Sequence, residues 1–202
     1  MSAIERIRAE RLVVLLRGVP AAEALVDALV PVGVGVVEVT LDSPDAESAI
    51  ARLRARGDVT VLAGTVRSVA DVDRAVSAGA EACVAPSHVP EVVTRCREHG
   101  VPSIPGALTP TEIERAWSAG AALVKLFPAA PLGPGYVRDV LAPLCDVPLL
   151  ASGGVGPENA AAFLGAGVAA VTVGSAITSA DHPVDAARAV MEALRGLHVD
   201  AA

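Results

Sequence analysis

Short apolar runs rich in β-branched residues recur along the chain, each preceded by an amphipathic stretch. Four junctions between the two read alike: PVGVGVVEV, SAGAEACVA, SAGAALVKL and GAGVAAVTV. Single glycines mark the junctions at Gly33, Gly57, Gly79, Gly100, Gly120 and Gly167, with gaps of 24, 22, 21, 20 and 47 residues. A glycine placed there ends a helix in the left-handed conformation and turns the chain into a strand. The pattern predicts strands over 12–16, 34–39, 59–63, 82–85, 102–104, 123–127, 148–151 and 169–173. These runs are short and almost wholly apolar, as buried parallel strands are. Helical stretches alternate with them, among them 21–30, 45–56, 69–78, 90–99 and 110–118. Ser43-Pro44, Thr109-Pro110 and Gly156-Pro157-Glu158 read as helix starts.

Eight βα units predict one α/β domain over residues 1–202. Its architecture would be a (β/α)8 TIM barrel with a short N-terminal helix, lean for that fold. An open doubly wound sheet is disfavoured, because no GxGxxG follows the first strand. In such a barrel, chemistry sits at the C-terminal ends of the strands. That rule singles out Arg17, Glu38, Thr40, Gly64-Thr65, Pro86, Pro105-Gly106, Lys125, Phe127, Ser152-Gly153-Gly154 and Gly174-Ser175.

Composition narrows the function classes. Hydrophobic residues make up 52% of the 202 residues and aromatics 2%, so the core must be aliphatic. The mean hydropathy of +0.53 raises a membrane reading. However, the longest uncharged run, residues 159–180, holds serines, threonines and an asparagine. It also divides at Gly165-Ala166-Gly167, and it reads as a buried helix–turn–strand. The N-terminus carries alternating charges and no apolar signal segment, which points to a cytoplasmic protein with no membrane partner. The net charge of −7 and the few aromatic rings argue against nucleic acid. Cys83, Cys96 and Cys145 are an odd set without CxxC spacing. They read as reduced structural thiols, not as a disulfide frame or zinc site. His88, His99, His182 and His198 show no metal-ligand spacing.

One count changes the picture. Of 16 basic residues, fifteen are arginine and one is lysine, Lys125. It stands between apolar neighbours on a predicted central strand. Desolvation there disfavours the ammonium and favours a neutral, nucleophilic amine, the requirement for Schiff-base formation with a carbonyl. The alternative is a lysine that ion-pairs or holds a phosphate. Glu38 interrupts another apolar strand, so it is either paired with Lys125 or Arg17, or it moves protons at an imine, or both. The glycines of Ser152-Gly153-Gly154 and Gly174-Ser175 follow strands 7 and 8, where barrels place phosphate on backbone N–H groups with a helix N-terminus behind them. Arg17 suits a carboxylate clamp, or else a surface ion pair. Thr65 is a site contact or a helix cap, Phe127 a pocket wall or plain core, and Asp42 a substrate contact or a loop carboxylate. The set suggests imine chemistry on a keto acid that bears a phosphate.

With those residues in place, the chain resembles the 2-keto-3-deoxy-6-phosphogluconate / 4-hydroxy-2-oxoglutarate aldolases, the class I pyruvate aldolases. The resemblance rests on Val37-Glu38-Val39-Thr40-Leu41, Ala63-Gly64-Thr65-Val66, Pro105-Gly106, Val124-Lys125-Leu126-Phe127-Pro128-Ala129, Ser152-Gly153-Gly154-Val155 and Gly174-Ser175, in order and over nearly the whole length. It implies a Schiff base on Lys125, Glu38 as general acid/base, and Thr65, Pro86 and Phe127 in the pocket. It also implies phosphate on Ser152, Gly153, Gly154, Gly174 and Ser175. The implied ligands are a keto-deoxy sugar acid and pyruvate, with no metal, no cofactor and a homotrimeric assembly. Asp42 stands where the phosphogluconate branch commonly has arginine. Arg17-Gly18, Ser43-Pro44, Gly135-Tyr136 and residues 154–159 look more like the 6-phosphogalactonate branch, in which Arg17 would hold the substrate carboxylate. An acidic Asp42 suits an anionic substrate only if Arg17 pairs with it. Two other readings share the phosphate loops without needing an amine. One is a sugar-phosphate epimerase or thiamine-phosphate-synthase-like barrel; the other is a catalytically silent sugar-phosphate binding protein.

Overall fold

A computed structural model describes residues 1–195; His198 lies outside the described residues. The strands are β1 Leu12–Leu16, β2 Val36–Thr40, β3 Thr60–Gly64, β4 Ala82–Val84, β5 Ser103–Ile104, β6 Gly106–Ala107, β7 Val124–Leu126, β8 Leu149–Ser152 and β9 Ala170–Val173. All pairings are parallel, in the order β5-β4-β3-β2-β1-β9-β8-β7-β6. The two ends of that order are separated by Pro105 alone. The sheet therefore closes on itself through residues 103–107. The Ser103 and Pro105 carbonyls accept from the N–H groups of Ala122 and Lys125 on one side, and the Ile104 carbonyl accepts from Ala85 on the other. β5 and β6 are two halves of one bent strand, and the expected eight-strand α/β barrel is present.

Helices α1 Ala3–Glu10, α2 Ala22–Leu29, α3 Ala46–Arg56, α4 Val69–Ser77, α5 Pro90–Glu98 and α6 Pro110–Ser118 come first in the chain. They are followed by α7 Gly133–Leu141, α8 Ala160–Gly165, α9 Ser175–Thr178 and α10 Pro183–Arg195. None is long and apolar enough to cross a membrane. The six junction glycines all take positive φ, between 68° and 107°. Residues 159–180 form α8, a turn, β9 and α9. α1 begins at a capping box, in which Ser2 accepts from the Glu5 N–H and Glu5 accepts from the Ser2 N–H.

Alternation along the strands sorts the core into two parts. Residues such as Val14, Val37, Val61, Val124, Ala151 and Val171 face outward and pack under the helices. Val13, Val36, Leu62, Ala82, Val84, Ile104, Leu123, Leu150 and Ala170 fill the barrel interior, where Ala3 and Ile7 of α1 join them. The N-terminal helix is thus the plug of the barrel floor.

Two expected helix starts are corrected. α3 begins at Ala46 behind Asp45, not at Ser43-Pro44. The Ser43 hydroxyl is instead engaged by the Thr40 hydroxyl and by the Gly18 N–H. α8 begins at Ala160 behind Asn159, because the Asn159 side chain folds back to accept from the Gly156 N–H and closes a turn there. Among the thiols, Cys83 and Cys96 are buried, but Cys145 is exposed and is not a core residue.

Candidate active site

The inner apolar layer ends abruptly. Two residues further along each strand from that layer stand Leu15, Glu38, Gly64, Pro86, Gly106, Lys125, Ser152 and Thr172. Alternation keeps them on the same interior face, so this ring forms the base of the open end. A cavity of about 470 Å³ lies above it. Its walls include Leu15, Arg17, Thr65, Pro86, Lys125, Phe127, Ser152, Gly153, Gly154, Gly174 and Ser175. Of the residues singled out from the sequence, Arg17, Thr65, Pro86, Lys125, Phe127, Ser152, Gly153, Gly154, Gly174 and Ser175 face one cavity, whereas Glu38, Thr40, Asp42, Gly64, Pro105 and Gly106 do not line it. Glu38 lies directly behind it. Its Oε1 is 3.5 Å from Lys125 Nζ, and the two side chains are only 1% and 8% exposed.

That contact is an ion pair with little direct hydrogen bonding. Both Glu38 oxygens are buried and lack a hydrogen-bond partner among the described residues. A pair left this open leaves acceptor capacity for a third participant at the amine. The carboxylate has room because position 64 is glycine: a Cβ there would sit 2.3 Å from Glu38 Oε1. Gly106 serves backbone proximity, since a Cβ would lie 2.2 Å from the Pro86 carbonyl oxygen. The Phe127 ring stands over the amine, 5.4 Å from centroid to Nζ, and remains 37% exposed at the mouth. The Phe127–Pro128 bond is cis.

Arg17 does not reach Glu38. Its Nη2 donates to Thr65 Oγ1 at 3.0 Å, and its Nε lies 3.7 Å from Asp42 Oδ2. Thr65 holds φ 58°, a costly conformation for a β-branched residue. It lines the cavity and is not the helix cap, a place taken by Ser68. Burial opposes the charge on Asp42. Hydrogen bonds from Thr40 and Thr65 and the charge of Arg17 outweigh it and hold that carboxyl below its ordinary range. Asp42 is thus balanced by Arg17.

The glycine loops meet at the far wall. Gly153 and Gly154 take φ 90° and 73°. A Cβ at Gly153 would press to 3.0 Å on the Phe127 ring, so this glycine lets the ring lie against the loop. One expectation fails here. No helix N-terminus stands immediately behind Gly153-Gly154, because α8 begins at Ala160, and α9 behind Gly174 is a single turn. Behind Gly153-Gly154 only loop N–H groups face the cavity, while behind Gly174 the single turn of α9 supplies its N-terminus.

Sequence reasoning missed Leu15, Glu158 and Thr172, all of which line the cavity. Glu158 hides as an ordinary first-turn acid. Thr172 hides as an ordinary β-strand threonine, although counting back two residues from Gly174 would have put it on the interior face. Among the described residues, no group of three or more His, Cys, Asp and Glu side chains is placed to hold a metal ion.

The family model for "KDPG and KHG aldolase" matches residues 4–191. The chain belongs to that family. Within it, the chain is 37% identical over 179 residues to the 2-dehydro-3-deoxy-6-phosphogalactonate aldolase of Escherichia coli (strain K12), covering 86% of this chain and 87% of the relative. It is 41% identical over 164 residues to the 2-dehydro-3-deoxy-phosphogluconate aldolase of Treponema pallidum (strain Nichols), covering 80% and 78%. A solved structure described as native KDPGal superposes with a TM-score of 0.87 at 34% identity, over 93% of this chain and 96% of that one. A KDPG aldolase from Legionella pneumophila, with pyruvate captured as a covalent carbinolamine, gives 0.82 at 25% identity over 96% and 98%. The family is one of carbon–carbon lyases, so this member of it is an enzyme.

Proposed function

We propose that the chain is a class I aldolase that cleaves a 2-keto-3-deoxy-6-phospho sugar acid, or 4-hydroxy-2-oxoglutarate, to pyruvate and an aldehyde such as glyceraldehyde 3-phosphate. The observation that carries this reading is the buried Lys125–Glu38 pair at 3.5 Å at the base of an open cavity, in a chain with no other lysine. Glu38 takes a proton from the Lys125 ammonium beside it, the amine so freed attacks the C2 ketone, and Glu38 returns that proton to the carbinolamine hydroxyl, which leaves as water and gives an iminium. The face of the Phe127 ring favours that cation. Glu38, through a water, takes the proton of the C4 hydroxyl, and the C3–C4 bonding electrons move into the iminium. An enamine and a free aldehyde result. Glu38 then helps protonate the enamine, and hydrolysis releases pyruvate. Arg17, steadied by Thr65 and Asp42, is assigned the substrate carboxylate. Ser152, Gly153, Gly154, Gly174 and Ser175 are assigned the phosphate, and Pro86 the wall. Arg17-Gly18 and the balanced Asp42 favour the galactonate configuration. The proposed assembly is a cytoplasmic homotrimer, with the exposed Leu108 and Phe127 at the mouth rim as candidate contacts. Sedimentation equilibrium tests it, and a monomer would remove it.

The deciding experiment is borohydride reduction in the presence of pyruvate. Lys125 is the only side-chain amine, so the adduct maps to it or to the N-terminus. Lys125→Arg keeps the charge but forms no imine, and kcat should fall by roughly 10⁴-fold or more. An unlabelled Lys125 in a protein that still releases pyruvate would sink the mechanism. Pyruvate release from the gluconate, galactonate and hydroxyoxoglutarate substrates, run side by side, ranks them.

A further inference from the structure

Thr172 on β9 is 2% exposed, and its hydroxyl oxygen is buried without a hydrogen-bond partner among the described residues. Such an oxygen destabilises the fold, and native interiors keep few of them. Yet Thr172 lines the cavity. Its neighbour in register on β8 is Ser152. Lys125 lies one strand beyond, on β7, and Gly174 follows Thr172 by two residues on the loop assigned to phosphate. Thr172 is thus placed between the amine that takes C2 and the loop that takes the distal phosphate.

We propose that Thr172 is a specificity-determining residue that hydrogen-bonds the substrate's C5 hydroxyl, and so selects α-hydroxy aldehydes as the second product. The inference rests on the aldolase reading above. In that reading C2 is bound to Lys125 and the C4 hydroxyl gives its proton towards Glu38. The one hydroxyl left between C4 and the phosphate is on C5. A hydroxyl pair suits it, since each oxygen donates or accepts as the other requires. A site built around a missing partner rejects the analogue that lacks it, because the buried group then stays unpaired.

The test runs the reaction in the condensation direction, with pyruvate and either glyceraldehyde 3-phosphate or 3-phosphooxypropanal, which lacks only the α-hydroxyl. The wild-type enzyme is expected to prefer the hydroxylated acceptor by about 10- to 100-fold in kcat/KM. Thr172→Val should abolish most of that preference by slowing the hydroxylated acceptor alone, and Thr172→Ser should retain it. The valine variant should melt no lower than wild type, since it removes an unpaired buried hydroxyl. Thr172→Ala repeats the comparison without added bulk should the valine protein fail to fold. Equal rates for both acceptors in the wild type, or a valine variant that slows both alike, overturn the proposal. Borohydride trapping of pyruvate on Lys125 separates the two levels. Trapping intact with unchanged selectivity removes only the role of Thr172, whereas no trapping in the wild type removes the aldolase reading itself.

Discussion

At position 64 the absence of a side chain is what lets a carboxylate stand beside the amine. A Cβ there would occupy the place of Glu38 Oε1. Gly64→Ala should therefore leave the barrel folded but push Glu38 off the amine. Misplacement of that size lowers kcat by about 10²-fold, measurable by pyruvate release. Glu158 makes the opposite case. It lines the wall that also carries the glycine loops, and its negative charge opposes a phosphate there. Glu158→Gln should lower KM for phosphorylated substrates by roughly two- to five-fold, and leave unphosphorylated ones unchanged, in a KM comparison. The difference in legibility between these residues is physical. Lys125 and Glu38 stood out in the sequence because a charge inside an apolar strand has few explanations. Glu158 and Thr172 occupy positions where their residue types are common for ordinary structural reasons.

Elements are anchored by caps, and α6 shows how far the sequence reveals them. Thr109 accepts from the Glu112 N–H, while Glu112 accepts from the N–H groups of Thr109 and Leu108. The Leu108 carbonyl takes the Tyr136 hydroxyl, which ties α6 to α7 beside the mouth. Thr109→Ala should cost about 1 kcal/mol in a denaturant melt. The backbone N–H groups of Thr109 and Leu108 hold the Glu112 carboxyl below its ordinary range. Its folded value lies under its unfolded one, so its contribution is complete above the ordinary carboxylate range and fades as pH falls through the folded value. Glu112→Gln should flatten that acid limb of the stability profile. Thr109-Pro110 was legible because its cap is local. Ser43-Pro44 misled because its hydroxyl serves Thr40 and Gly18, and the latter is 25 residues away. The strand at 102–104 was read short because Pro105 interrupts it, and only the barrel's closure shows that Gly106–Ala107 continues it.

For the whole molecule, the glycine spacing revealed the barrel, because six of the helix-to-strand junctions use a left-handed glycine; the α7-to-β8 junction has none, which is why the last gap is about twice the others. What spacing cannot show is the end-to-end division of labour. One end of the interior is sealed by α1, with Ile7 fully buried against the aliphatic layer. The other end carries the cavity. Ile7→Ala should destabilise the fold by about 2–5 kcal/mol in thermal or urea melts, yet change kcat/KM little at temperatures where the variant stays folded. A large loss of activity in the folded variant would show that the two ends are coupled.

The two-residue alternation that carries each strand from aliphatic layer to reactive ring also limits how such a gene can change in length. An insertion in a loop shifts nothing in the barrel. A single residue added between Leu123 and Lys125 would turn the amine out of the cavity and under the helices, and bring an apolar neighbour in. Two added residues would restore the facing but raise the amine away from Glu38. Lineages of this barrel can therefore grow and shrink freely between strands, while within a strand the count from interior to mouth is inherited as a parity.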